Sequence, residues 1–281
     1  MNKCVVCDGN HSKLFYIGIL KCDHCGHVFA DMDLSNEELS ALYRRDYFFG
    51  DEYSNYLADK KIIQKNFKLR YRNLKPFLRT KRHRTLFEIG CAYGLFLDLI
   101  KDEFDHVSGI DISEDGIRYA RDELLLDARQ VEFLECELED QKLDVVCLWD
   151  TIEHLRDPHL YLEKISTHTE PGALIALTTG DIESLNARWK GDNWRLIHPP
   201  THLHYFSKRT LEQILNRYGF DVVYSRYCGF FRSIDQVAYH TLVLRKNYPN
   251  IYKFLNWCRV TRFDFYLNLY DIVYIVAQKR G

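Results

Sequence analysis

At roughly 150 residues per domain, a chain of 281 residues holds one large domain with appendages or two modest ones, which excludes a staple-dependent miniature scaffold. Hydrophobic residues at 46% and charged residues at 28% exclude wholesale disorder. The first ten residues lack the basic-then-apolar pattern of a leader, and no apolar run approaches the ~20 residues of a membrane helix, so no membrane span and a cytoplasmic location are expected. A net charge of −2, from 38 basic and 40 acidic residues, gives no overall field for a polyanion, which disfavours nucleic acid as a partner.

Residues 1–30 form a cysteine-rich head. Cys4-x-x-Cys7, fourteen intervening residues, then Cys22-x-x-Cys25 is the two-knuckle spacing of a zinc ribbon. Two such turns present four thiolates tetrahedrally, at ~2.3 Å from the ion. Four cysteines leave no open coordination position, so the zinc is structural. Gly26 supplies permissive backbone after the second pair, and redox pairs are the alternative reading. Loss of zinc is expected to melt the head while the body persists, because metal of this kind contributes on the order of 10 kcal/mol.

Residues 31–84 read as a charged helical connector, with loosely helical apolar spacing over Ser35 to Tyr43 and Tyr56 to Leu78. Lys60 to Arg84 carries eleven Lys or Arg and no Asp or Glu, a solvated helix face or, beside a cleft, an attractor of anionic acceptors. Residues 85–281 form the body, where short apolar runs alternate with amphipathic stretches as in a parallel sheet covered by helices. Strands are expected at Thr85 to Ile89, His106 to Ile110, Val131 to Leu134, Leu143 to Trp149, Leu174 to Thr178, Asp221 to Tyr227 and Asp271 to Ala277. Helices are expected at Leu95 to Lys101, Glu114 to Leu126 with Ser113 as N-cap, Pro158 to Thr167 and Lys208 to Tyr218. Residues 229–270 break this rhythm and read as a helical insertion.

At Glu88-Ile89-Gly90-Cys91-Ala92-Tyr93-Gly94, an apolar strand enters a small-residue turn and then a helix, a place where backbone can approach a polar ligand. The next strand ends at Asp111, 21 residues after Gly90, so its carboxylate reaches the same crevice and can accept hydrogen bonds from ribose hydroxyls. A turn aspartate is the alternative. Ala92 stands where a dinucleotide fold prefers glycine, which weakens a nicotinamide-dehydrogenase reading.

Glu88-x-Gly90-x-x-x-Gly94, Asp111, Glu135-Cys136-Glu137-Leu138-Glu139 and Trp149-Asp150-Thr151-Ile152-Glu153-His154-Leu155 resemble the ordered motifs of class I S-adenosylmethionine-dependent methyltransferases. The similarity continues through Leu177 to Asp181, Trp194, His198 to Ser207 and Leu269 to Tyr274. With the cysteine head, the chain is similar to small-molecule and sugar methyltransferases carrying an N-terminal zinc segment. The resemblance implies a seven-stranded Rossmann-like α/β sheet with helices on both faces, binding S-adenosylmethionine. It puts Gly90 and Gly94 beside the methionine portion, Asp111 on the ribose, Ile112 against adenine, Glu137 or Leu138 at the adenine edge, and Trp149 along the cleft. Glu88 would neutralise the cofactor's ammonium; a strand-end acceptor is its plainer role.

Methyl transfer from a sulfonium needs alignment above all, worth up to ~7–11 kcal/mol; a general base adds ~10²- to 10⁴-fold. His154 is the first candidate base, at the carboxyl end of the fourth body strand, with Asp150 and Glu153 as carboxylates that could orient imidazole or substrate. His198, His202 and His204 form a second group on a loop expected to be extended by Pro199 and Pro200. His202 is favoured for substrate contact. Trp194 and Arg195 belong to the same loop, as a lid for a ring and an acid group or as a buried anchor. The expected acceptor is a sugar, nucleotide-sugar or glycan hydroxyl or carbon. RNA modification and a non-catalytic zinc-containing binding module are the alternatives.

Overall fold

The apolar runs of the body line up as one sheet in a computed structural model, which describes residues 3–32, 38, 59–138 and 142–281. The expected connector helix at 35–43 lies outside the described residues except for Glu38, as does Glu139. Head strands β1 (Ser12–Tyr16), β2 (Ile19–Cys22) and β3 (Val28–Ala30) precede body strands β4 (Thr85–Ile89), β5 (His106–Asp111), β6 (Asp127–Gln130), β7 (Val145–Trp149), β8 (Leu174–Gly180), β9 (His204–Tyr205), β10 (Phe220–Ser233) and β11 (Asp264–Lys279). The main sheet runs β10-β11-β8-β7-β4-β5-β6. Its five strands from β6 to β8 are parallel, while β11 is antiparallel to both neighbours. This is the expected seven-stranded Rossmann-like sheet. β7 and β8 bury every residue, as strands covered on both faces must.

The helices are α1 (Lys60–Leu74), α2 (Leu95–Ile100), α3 (Glu114–Asp122), α4 (Pro158–Thr167), α5 (Leu185–Lys190), α6 (Lys208–Arg217), α7 (Ile234–Ala238) and α8 (Pro249–Trp257), with a π-helical turn at Tyr239–Arg245. Ser113 caps α3 as expected, its Oγ accepting from the Gly116 N–H at 3.2 Å. α3 ends at Asp122, four residues early, because Leu125 turns to positive φ and the Leu126 N–H returns to the Ala120 carbonyl.

Two strand expectations need correction. The third body strand is Asp127–Gln130, not Val131 to Leu134. It is an edge strand with polar residues, while the apolar run after it forms a turn that tucks Phe133 under Tyr161 and Phe87. The insertion at 229–270 is helical only in its middle. β10 continues to Ser233 and β11 begins at Asp264, so the two strands form a long antiparallel ribbon beyond the sheet, with α7 and α8 at its far end.

The head is stitched into the body. β3 pairs with β9, making a four-stranded sheet from both parts. Cys4, Val6, Cys22 and Cys25 share the main hydrophobic core with Phe206, Leu211 and Leu215. On the opposite face, α1 buries Phe67 and Leu74 against Phe96, Trp149 and Tyr274. Each such large side chain contributes about 1.5–3 kcal/mol by burial. Asn66 fixes the register of α1 by a reciprocal pair of hydrogen bonds to the Phe231 backbone.

Candidate active site

The strand order reverses between β4 and β7, which opens a crevice at their carboxyl ends. Gly90 (φ 79°) and Gly94 (φ 69°) make the turn after β4. A Cβ on Gly90 would lie 2.7 Å from the Thr151 hydroxyl, so only glycine lets the turn lie against the loop after β7. Ala92 has positive φ as well, and its N–H donates to Asp111 Oδ2 at 2.8 Å while the Ser113 N–H donates to Oδ1 at 2.8 Å. Asp111 thus ties the glycine turn to the start of α3, and burial lifts its pKa despite these donors. The turn-aspartate role is observed, and each oxygen retains a lone pair.

Glu88 is buried, and its Oε2 has no hydrogen-bond partner among the described residues. Burial raises its pKa well above the usual carboxylate range, opposed by the nearby Arg70 and reinforced by Asp111. A buried, unsatisfied carboxylate beside a small-residue turn fits a cationic or hydrogen-bond-donating ligand group. Arg70, on α1, escaped the sequence reading. Its guanidinium pairs with Asp150 and sits over the rings of Phe67, Trp149 and Phe230 at 5.2, 5.6 and 5.7 Å. The only advance signal was its place in a basic helix preceding the body.

The adenine-side candidates gather past Asp111. Ile112 is half-buried, Glu137 is exposed, and Leu138 is buried in the main core. The Ile112 carbonyl accepts from Gln130 Nε2 at 3.3 Å and the Glu137 carbonyl from Arg129 Nη1 at 3.4 Å, so consecutive residues of β6 hold both loops.

After β7, Asp150 adopts positive φ with its N–H bonded to Thr178. Its carboxylate faces Arg70, and the Thr201 carbonyl, 2.8 Å from Nδ1, orients the His154 ring in its place. His202 Nδ1 lies 3.0 Å from the Leu196 carbonyl. A carbonyl only accepts, so each Nδ1 carries the proton and each Nε2 is the basic nitrogen. The rings meet edge to face at 4.6 Å. Burial lowers His154 to about 4 and His202 to about 3, which keeps both neutral at physiological pH. Glu153 is buried between them and Asp150, with Oε2 unpartnered among the described residues, and is pushed up to about 8 by burial and by Asp150. Ligand atoms of Glu153, His154 and His202 lie within 4.8 Å of one another. This cluster can accept or relay a proton, or hold a divalent cation.

The histidine loop is a turn, not extended chain. The peptide bond between Pro199 and Pro200 is cis, and the His202 N–H bonds back to the His198 carbonyl at 3.0 Å. Its histidines separate: His202 faces His154, His198 bonds Thr201, and His204 Nδ1 contacts His27 Nε2 of the head at 3.1 Å. Trp194 is the buried anchor, donating Nε1–H to Asp271, and Arg195 pairs with the same carboxylate.

In the head, Cys4 and Cys25 Sγ lie 3.5 Å apart and Cys7 and Cys22 Sγ 3.6 Å apart, with all four sulfurs within 4.8 Å. A tetrahedron with ~2.3 Å metal–sulfur bonds has edges of about 3.8 Å, so the donor set fits zinc. The Cys25 contact draws the Cys4 thiol down to about 5.

A reversed-order sheet, a glycine turn backed by an acid and a site loop after the fourth strand define the class I methyltransferase architecture. The family described as "Methyltransferase domain" matches residues 59–225. The chain belongs to this family of S-adenosylmethionine-dependent methyltransferases. Over 103 residues, 34% of the chain and 42% of the relative, it is 27% identical to the ubiquinone biosynthesis O-methyltransferase of Idiomarina loihiensis. Over 140 residues, 50% of the chain and 52% of the relative, it is 28% identical to a Mycolicibacterium smegmatis protein named "Probable S-adenosylmethionine-dependent methyltransferase". The match spans about half the length of these relatives. A crystal structure of a SAM-dependent methyltransferase from Archaeoglobus fulgidus shares the fold, with TM-score 0.53, 23% identity, and coverage of 80% of this chain and 99% of that one.

Proposed function

We propose that this protein transfers a methyl group from S-adenosylmethionine to a hydroxyl or carbon of a small acceptor, a sugar, nucleotide-sugar or glycan. The observation that carries the reading is the orphaned Glu88 carboxylate beside the Gly90 turn, at the point where the sheet order reverses. Glu88 would hold the cofactor's ammonium and Arg70 its carboxylate, with Gly90 and Gly94 admitting the chain between them. Asp111 would take the ribose hydroxyls, Ile112, Glu137 and Leu138 the adenine, and Trp149 the wall of the cleft. Bound there, the cofactor supplies an activated methyl group whose leaving group departs neutral.

His154 serves as base for a hydroxyl or acidic carbon. Its Nδ1 is committed to Thr201, so Nε2 is the nitrogen that receives the proton, and His202 stacks edge-on against the ring. Asp150 holds Arg70 in place, and Glu153, largely protonated at neutral pH, can donate to the acceptor. The names of several curated relatives support oxygen as the methylated atom. The exposed Lys61, Lys68 and Arg72 of α1 favour an anionic or sugar-phosphate acceptor. Cys4, Cys7, Cys22 and Cys25 hold a structural zinc in this reading.

Titration calorimetry tests the cofactor half. Wild type binds S-adenosylmethionine, and Asp111→Ala binds it more than tenfold more weakly, through loss of a charged hydrogen-bond partner worth about 1.5–3 kcal/mol. No heat at millimolar cofactor would reject the enzyme reading.

A further inference from the structure

The excursion between β10 and β11 buries little of itself. No residue of α8 is buried, and its Ile251, Phe254 and Trp257 lie along one side of the helix, with Trp257 79% exposed. Tyr248, Val260 and Phe263, beyond the two ends of the helix in sequence, are exposed as well. Nearby, Ile234, Val237, Ala238, Thr241, Leu242 and Phe265 line an apolar hollow of about 390 Å³. From Tyr239 to Phe263 the chain has five Lys or Arg and no Asp or Glu. Lys246, Lys253, Arg259 and Arg262 are exposed, and none pairs with a carboxylate among the described residues. The flanking acids are engaged elsewhere: Asp235 accepts from the Tyr252 hydroxyl at 2.9 Å, and Asp264 pairs with Lys65 of α1.

We propose that this surface docks the protein on an anionic lipid bilayer. Exposed tryptophan, tyrosine and phenylalanine among uncompensated cations are the side chains that settle at the boundary between headgroups and acyl chains. Each cation near an anionic surface adds roughly fivefold to partitioning. The hollow gives room for an inserted alkyl segment. Charge decides against a second copy of the chain as the occupant. A two-fold pairing of this surface would bring together two basic segments, each with five Lys or Arg and no Asp or Glu from Tyr239 to Phe263. Docking is peripheral, since no described helix is long and apolar enough to cross a membrane.

The surface is joined to the cleft through β10. β10 carries Phe230, which packs under Arg70, and continues directly into α7. A docked protein therefore opens its cleft beside the lipid interface, where an acceptor carried on a lipid would lie. That last step rests on the methyl-transfer reading; docking itself does not, and it is measured without cofactor or acceptor.

The test is co-sedimentation of the full chain with vesicles of phosphatidylcholine alone or mixed with phosphatidylglycerol, at low and high salt. Wild type is expected on the phosphatidylglycerol vesicles at low salt, with at least tenfold weaker partitioning on phosphatidylcholine. Lys253→Glu/Arg259→Glu and Phe254→Ser/Trp257→Ser should each reduce partitioning more than tenfold while the thermal midpoint stays unchanged. Wild type remaining in the supernatant on both vesicle types would overturn the proposal. So would equal partitioning of all three proteins, or a concentration-dependent dimer in sedimentation velocity that Phe254→Ser/Trp257→Ser abolishes.

Discussion

Two additions to the same sheet are built in opposite ways. The head, about as long as the excursion between β10 and β11, turns most of its apolar residues inward, Leu14 and Ile17 excepted: its cysteines and Val6 lie in or against the main core, and β3 extends into a sheet with β9. The excursion keeps its aromatic residues outside, and Thr261 is the buried residue of its last turn. Burial makes the first a brace for the histidine loop, whereas exposure makes the second a surface. Similar lengths of chain thus do different work according to which way their side chains face.

The largest effect expected from breaking the brace is on stability. Stripping zinc with a chelator should remove on the order of 10 kcal/mol, and the shared core means the body feels the loss. Differential scanning calorimetry should show the thermal midpoint of the whole chain fall by more than about 10 °C. A body transition left in place after the head has melted would restore the simpler view of an independent module.

Acid should come next. His154, His202 and His204 are held neutral, at about 4, 3 and 4, by burial. An unfolded histidine takes a proton near pH 6.5, so the unfolded state binds more protons as pH falls from there towards 4 and stability falls with it. Glu153, raised to about 8, has the opposite sign: native protein gains from its protonation as pH falls from 8 to its unfolded value near 4.5. Three histidines outweigh one acid, giving a net loss of several kcal/mol between about pH 6.5 and 4. Urea titrations across that window check it, and His204→Phe should flatten the slope.

Within the site, His154→Ala should lower kcat by ~10²- to 10⁴-fold with cofactor affinity unchanged, read by single-turnover kinetics and calorimetry. An equal loss of cofactor affinity would move His154 from the proton to the binding surface. The smallest expected effect is Glu88→Gln. Burial already favours the neutral carboxyl, so stability of the ligand-free protein should change by no more than about 1 kcal/mol, while cofactor affinity falls by about tenfold. A larger loss of stability with affinity unchanged would place Glu88 in a purely structural role.

Local pattern revealed what local pattern determines. The glycine turn, the acid 21 residues on and the two cysteine knuckles are compact signals, and six of the seven main-sheet strands were visible because most of them are buried on both faces. What stayed hidden depends on distant partners. Arg70 is one of eleven bases in its stretch, and its place in the cleft comes from α1 packing on Tyr274 and from the Asn66 bonds to β10. β6 escaped notice because an edge strand needs no apolar run. β9 is two residues long and exists because β3 lies beside it.

The segment around β9 is held from both sides. Its Leu203 carbonyl accepts from the Ala30 N–H, while the Leu203 and His204 N–H groups both reach the Glu153 carbonyl. His202 and His204 thus turn to opposite tasks on one pinned thread. Deleting a single residue here would rotate both imidazoles out of place at once. Divergence in what the cleft accepts must therefore proceed through side-chain exchange at constant loop length.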